Sequence, residues 1–196
     1  MDKKLFIQAI TKFTFGFIII ALLLFIPAGT LNYLNAWLFI GILFVPMFIV
    51  GIILMIKNPD LLRKRLNSKE KEAEQGILLL LGGVMFICGF VVAGLNYRFE
   101  WIILPKYIVY IGTIIFLLAY VLYAEVLREN MYLSTILLFL SIPLVLGSLF
   151  SFLIFMIYPF IIAKRIKNEE KVVEQGLKGY LEYKEKVKYK MIPFIW

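Results

Sequence analysis

The charged residues of this chain are segregated from its apolar residues, which leaves long stretches that carry almost no charge. Four of these stretches, 13–29, 36–56, 77–95 and 107–127, approach or reach the ~20 residues needed to cross a hydrocarbon core of ~30 Å. A fifth apolar run, 131–163, is too long for one crossing. Apolar residues make up 62% of the chain and charged residues only 17%. The sequence therefore predicts an all-α integral membrane protein.

The distribution of lysine and arginine predicts the orientation of the spans. The segment before the first span has three lysines, the link 57–76 has six basic residues, and the tail from Lys164 has nine. The link between the first two spans has none. Since basic residues favour the cytosolic side, we expect both termini in the cytosol. Aromatic residues fall at the outer interface that this topology predicts, namely Tyr33, Trp37, Tyr97 and Trp101.

The fifth apolar run has two interpretations. A single helix kinked at Pro143 would place the basic tail outside, whereas a helical hairpin that turns within 141–148 returns it to the cytosol. We favour the hairpin, in which Pro143 and Gly147 supply the break. The predicted fold is a bundle of about six transmembrane segments, the last two forming the hairpin, over residues 1–163. A cytosolic amphipathic helical tail follows over 164–196.

Few residues in this chain can carry chemistry inside the membrane. The chain has no histidine and one cysteine, so we expect no metal site. Its basic residues flank the spans, which predicts no nucleic-acid partner. Glu125 lies within an apolar run, where it is either a proton relay or the partner of Arg128 in an interfacial ion pair. The glycines of the third span predict close helix packing.

The polar tail contains an ordered series of short motifs, "RI..EE", "GY.EY" and "V.Y..IP.IW". With the upstream pieces "FIPAGTLNYLNAWLF", "NPDLLRKRL", "AGLNYRFEW" and "SIPLVLGS", this series resembles the isoprenylcysteine carboxyl methyltransferase family, to which phospholipid N-methyltransferases are related. The resemblance covers nearly the whole chain and extends to bacterial members. It implies a multi-pass protein of a bacterial or archaeal cytoplasmic membrane that transfers a methyl group from S-adenosylmethionine.

The sequence departs from the family pattern at the junction "LRENMYLST". The family places a cytosolic connection with a motif close to "G.YR.VRHP.Y" before the final hairpin, and here that connection is nearly absent. Either Arg128 and Tyr132 match the arginine and tyrosine of that motif, or Glu129 and Asn130 match an upstream "EN.Y.S" element and the donor-binding segment is missing. We prefer the second alignment, because the chain has no other copy of the segment.

The resemblance implies a methyl-donor site at the cytosolic face, between the final hairpin and the tail. It implies that the acceptor is an isoprenoid or another lipid-linked molecule embedded in the bilayer. The residues expected at this site are Arg128 and Glu170 as catalytic residues, with Tyr132, Glu169, Tyr180 and Tyr183 around the donor. The alternative is a catalytically impaired or internally deleted relative that acts as a membrane structural or interaction protein. A transporter is a third possibility, disfavoured because polar groups are absent from the middle of the spans.

Overall fold

The computed structural model describes residues 3–66, 73–125 and 131–176, which form a bundle of α-helices. These ranges contain no β-strand and one β-bridge, between Ile103 and Ser148. The described helices are α1 (Lys3–Ala28), α2 (Leu34–Lys57), α3 (Pro59–Leu66), α4 (Ala73–Phe99), α5 (Lys106–Glu125), α6 (Met131–Leu146), α7 (Leu149–Phe155) and α8 (Tyr158–Gly176). The predicted all-α class is confirmed for the described part of the chain.

Four helical segments within the described ranges have the length and composition of membrane-crossing helices. They are Lys4–Ala28, Leu34–Lys57, Gly76–Phe99 and Leu149–Ile166, the last of which joins α7 to α8. With two shorter apolar segments, Lys106–Leu122 and Leu133–Leu146, the described ranges hold six apolar helical segments, and the crossing of a membrane by all six stays a prediction. Many large apolar side chains are exposed on the bundle surface, as expected of helices whose outer faces are compatible with lipid.

The chain reverses direction after α6 at a glycine turn. Gly147 has a positive φ of 74°, and its amide donates to the carbonyl of Leu144 at 3.1 Å. The Ser148 amide donates to the carbonyl of Pro143 at 3.0 Å, which completes a Schellman motif. α6 then packs against both α7 and α8, as a hairpin requires. Pro143 does not break the helix, because it lies inside α6; the left-handed conformation of Gly147 makes the turn.

Three turns meet at one end of the bundle, here called the loop end: 29–33 between α1 and α2, 100–105 between α4 and α5, and 147–148 between α6 and α7. The backbone amide of Leu104 donates to the carbonyl of Gly147 at 3.4 Å, which ties the second turn to the third. The opposite end, where α1, α4 and α6 begin, is called the far end. A backbone hydrogen bond therefore links two of the three turns at the loop end.

Tyr33 ties the first turn to the third. Its hydroxyl donates to the carbonyl of Leu146 at 2.6 Å, and its ring stacks on that of Tyr97 with centroids 4.2 Å apart. Burial, with a smaller contribution from the Tyr97 phenol, raises the pKa of Tyr33, so the hydroxyl keeps its proton. The sequence predicts Tyr33 as an interfacial anchor like Trp37 and Trp101, but only 1% of its surface is exposed. The third turn covers it.

Glycines allow close contacts of α4 with its neighbours. A Cβ added at Gly89 would lie 2.3 Å from the ring of Phe155, and the carbonyl of Gly89 accepts a hydrogen bond from Ser151 at 2.9 Å. A Cβ added at Gly94 would lie 2.6 Å from the backbone carbonyl oxygen of Leu24 on α1. The predicted packing role is therefore confirmed for Gly89 and Gly94.

α8 continues without a break across positions 163 and 164, where the sequence predicts the bundle to end and the tail to begin. Ile162 and Ile166, on either side of that boundary, are both buried. The predicted division into 1–163 and 164–196 is thus not marked by a change in backbone structure, and it stays a prediction. Residues 177–196 of the tail lie outside the described residues.

Candidate functional site

The residues predicted for the methyl-donor site fall largely outside the described part of the chain. Arg128, Tyr180 and Tyr183 lie in the ranges that are not described. Glu125, at the end of α5, and Tyr132, in the first turn of α6, are described by their backbone.

Glu169 and Glu170 lie in α8, where the structure likewise describes their backbone. The ring of Phe139 on α6 packs edge to face against that of Tyr158 on α8, with centroids 4.4 Å apart. Seven residues back along α6 from this contact lies Tyr132, and seven residues forward along α8 lies Arg165. Since helices rise about 1.5 Å per residue, the start of α6 and the second half of α8 lie at the same end of the bundle. That end is the far end.

A groove runs between α4, α6 and α8 toward the far end. It encloses about 330 Å³ and is lined mainly by apolar side chains. The lining residues are Leu78, Leu79, Gly82, Gly83, Phe86, Phe139, Tyr158, Ile161, Ile162 and Arg165. Leu78 and Tyr158 in this lining are buried, and Arg165 is half-buried. Arg165 is the charged residue of the lining. Such a shape suits an apolar chain that carries a polar group at one end.

The floor of the groove contains Gly82 and Gly83. A Cβ added at either glycine would meet no other atom of the chain within 4 Å. Packing between helices of this bundle therefore does not account for them, and the packing prediction is wrong for these two positions. A glycine inside a helix costs about 0.5–1 kcal/mol relative to alanine, so the pair lowers helix stability in return for an open floor.

Asn168 is the polar residue that sequence reasoning missed. It is 9% exposed, and its Nδ2 has no hydrogen-bond partner among the residues that the structure describes. It follows Arg165 by three residues on α8, so helical geometry places it on the same face as Ile161 and Arg165, which line the groove. A buried amide without a partner costs free energy, which a ligand carrying an acceptor oxygen would recover. No sequence pattern singles out this asparagine, because it is one of several polar residues in a charged segment.

No family model, curated protein or solved structure matches this chain. Among the described residues, no group of three or more histidine, cysteine, aspartate or glutamate side chains is placed to hold a metal ion.

Proposed function

We propose that this protein is a membrane-embedded methyltransferase-like protein that holds the apolar chain of a lipid-linked acceptor in the groove between α4, α6 and α8. The observation that carries the proposal is the open floor at Gly82 and Gly83, which leads toward Arg165 and the unpartnered amide of Asn168. An isoprenoid carboxylate fits this arrangement, because its chain is apolar and its head group accepts hydrogen bonds.

The polar end of the groove also suits the methyl donor. S-adenosylmethionine carries a carboxylate that requires hydrogen-bond donors and cationic groups that favour a nearby acid. The side-chain amide of Asn168 supplies a buried hydrogen-bond donor for the carboxylate. Glu169 and Glu170 follow Asn168 directly in sequence. The residue types present therefore fit the donor, which supplies an electrophilic methyl group when it is bound.

The role of the chain in this proposal is to hold the two reactants in fixed positions. The groove holds the acceptor chain by burying apolar surface, at roughly 25 cal/mol per Å². Arg165 orients the head group of the acceptor, and the amide of Asn168 donates to the carboxylate of the methyl donor. Glu170, with Arg128 and the tyrosines Tyr132, Tyr180 and Tyr183, forms the remainder of the donor site that the family resemblance implies. Orientation of this kind accounts for much of the rate gain in a transfer between two bound molecules.

One observation favours the non-catalytic alternative. α5 ends at Glu125 and α6 begins at Met131, so only residues 126–130 connect them. The family resemblance requires a donor-binding segment at this position, and five residues leave no room for the full motif. In the alternative, the groove still binds a lipid-linked molecule but the protein transfers no methyl group.

Binding of labelled S-adenosylmethionine to the purified full-length protein in detergent tests the donor site. We expect saturable binding that falls about tenfold in Glu170→Gln, since a charge-assisted contact contributes on the order of 1.5–3 kcal/mol. Glu100→Gln, at the loop end, is the matched control and should bind like the wild type. A folded helical protein that shows no saturable binding would favour the non-catalytic alternative.

Binding of a labelled farnesylated cysteine derivative to the same purified protein in detergent tests the groove separately. Gly83→Leu adds a side chain to the open floor, where its Cβ would meet no other atom within 4 Å, so it should weaken binding by about tenfold, as expected for obstructing a buried apolar contact of one to two methylene groups. Gly41→Leu is the matched control, because a Cβ at Gly41 on α2 also meets nothing within 4 Å. Equal loss in both variants, or in neither, would contradict the assignment of the groove.

A further inference from the structure

A second hollow lies at the loop end, far from the groove. It encloses about 330 Å³ between the first turn of α2, the end of α4, the loop 100–105 and the turn at Gly147. Most polar side chains around it are already satisfied by the chain. Asn96 exchanges two hydrogen bonds with the backbone of Ile102, and the hydroxyl of Tyr97 donates to the carbonyl of Asn32 at 3.0 Å.

Arg98 is the exception at this hollow. Its side chain is exposed, and its guanidinium lies 5.5 Å from the centroid of the Phe99 ring. It also lies above Gly29, where an added Cβ would be 3.5 Å from the guanidinium carbon. Within the described ranges Arg98 forms no salt bridge, although Glu100 borders the same hollow. The guanidinium thus lies close to the turn at Gly29 and to the Phe99 ring, with no acidic partner among the described residues.

An apolar groove on α1 ends next to the polar hollow and Arg98. It encloses about 380 Å³ and is lined by Ala21, Leu22, Phe25, Ile26, Gly29, Thr30 and Leu31. Thr30 borders both this groove and the polar hollow, and Gly29 is the residue beneath the guanidinium of Arg98. An apolar surface along a helix therefore ends at a cation that has no acidic partner within the described ranges.

The local charge favours an anion. The segment 96–106 contains Arg98, Glu100 and Lys106, and the turns at 29–33 and 147–148 contain no charged residue, so the loop end has a net charge of +1. Arginine binds phosphate oxygens through two parallel hydrogen bonds, which makes it well suited to a phosphodiester.

We propose that the loop end binds an anionic glycerophospholipid, with its phosphodiester against Arg98 and an acyl chain in the groove on α1. The site is separate from the groove between α4, α6 and α8, and it does not depend on methyl transfer. A lipid fits better than a soluble phosphate because the polar hollow opens directly onto an apolar surface. Both parts of the ligand are then matched by the residues beneath them.

Native mass spectrometry of the full-length protein in detergent, with phosphatidylglycerol or phosphatidylcholine added at equal concentration, tests this site. We expect a wild-type preference for phosphatidylglycerol that Arg98→Gln reduces about tenfold, as expected for loss of a charge-assisted pair. Lys106→Gln removes one positive charge from the same end of the bundle. Lys106 lines neither the polar hollow nor the groove on α1, so this variant should retain the preference. Equal loss in both variants, or no preference in the wild type, would overturn the proposal.

Two further measurements separate the possible sources of the effect. Millimolar glycerol 1-phosphate should not displace the lipid; full displacement would mean that the polar hollow recognises a soluble phosphate and not a lipid. Glu100→Gln, which leaves Arg98 intact, should raise the bound fraction of phosphatidylglycerol about twofold, because an exposed acid repels the head group only weakly. A decrease in that variant would contradict the proposal even if Arg98→Gln failed to fold.

Discussion

The two halves of α4 show the same residue type in opposite environments. In the half nearer the loop end, Gly89 and Gly94 are in such close contact with Phe155 and α1 that no side chain would fit. In the half nearer the far end, Gly82 and Gly83 face open space. The first pair stabilises the bundle by close packing, and the second pair leaves a surface that the bundle itself does not fill. The contrast separates the part of the molecule that holds the fold from the part available to a ligand.

The polar side chains follow the same division. At the loop end the hydroxyl of Tyr33 and the amide of Asn96 are buried and hydrogen-bonded. Toward the far end the amide nitrogen of Asn168 is buried, and no described residue is its hydrogen-bond partner. Substitutions on the two sides should therefore change stability in opposite directions, and the following predictions test that comparison in order of expected effect.

Gly94→Ala should cause the largest loss of stability. The new methyl group would lie 2.6 Å from the carbonyl oxygen of Leu24 and 3.0 Å from Cβ of Pro27, so α1 would have to move as a rigid helix. We expect a destabilisation of about 3 kcal/mol, the upper end of the range for overpacked sites. The measurement is the apparent midpoint of thermal unfolding in detergent, followed by circular dichroism. An unchanged midpoint would contradict the close α1–α4 contact.

Gly89→Ala should cost about 2 kcal/mol by the same mechanism. Here the obstacle is the ring of Phe155, which is fully buried and packs against the rings of Phe86 and Phe90. The ring can shift slightly where a backbone atom cannot, so the loss should be smaller than in Gly94→Ala. The same thermal midpoints rank the two variants, and a reversed order would show that α7 is held more rigidly than α1.

Tyr33→Phe should destabilise the protein by about 1–2 kcal/mol, because it removes a buried hydrogen bond. The carbonyl of Leu146 would keep only the contact with Asn35, at 3.5 Å. Tyr97→Phe is the matched control: its hydroxyl is exposed, and the loss should stay below about 0.5 kcal/mol. Chemical-denaturant midpoints of the two variants measure the difference. Equal effects would mean that burial of the Tyr33 hydroxyl contributes nothing.

Asn168→Leu should stabilise the ligand-free protein by about 1 kcal/mol, since it replaces an unpartnered buried amide with an apolar side chain of similar size. Asn96→Leu makes the same chemical change where both amide atoms are bonded, and it should destabilise. The sign of the change in thermal midpoint distinguishes the two positions. Destabilisation in both would show that Asn168 has a structural partner.

Gly83→Ala should have the smallest effect, a stabilisation of about 0.5–1 kcal/mol from helix propensity alone. No atom opposes the new methyl group, in contrast to Gly89 and Gly94 on the same helix. The thermal midpoint should rise slightly. A fall would mean that the surface at Gly83 is occupied by protein, and the groove assignment would then lose its main support.

The sequence predicts the main helices of this fold well because their apolar runs are long and the charges lie at the ends of those runs. The reversal after α6 was predictable from the basic tail together with a glycine that can adopt a positive φ. The part played by Pro143 could not be predicted, because a proline can kink a helix, end it or, as here, lie within it.

The candidate site was far less predictable. Gly82 and Gly94 look identical in sequence, and the difference between them depends on which neighbouring helix passes at each level. Tyr33 resembles an interfacial anchor until the turn at Gly147 is placed over it. Asn168 becomes distinctive only when its missing partner is known. These properties arise from contacts between residues far apart in the chain, which hydropathy and charge patterns do not encode.

The bond between Tyr33 and Leu146 also sets an order for biogenesis. Its two partners are separated by 113 residues, so the phenol at the start of α2 must wait for most of the polypeptide to be synthesised before it finds its acceptor. Until α6 has been synthesised, this hydroxyl has to find another hydrogen-bond partner, such as water. A chain truncated before α6 would therefore lack the acceptor that joins its first turn to the end of α6.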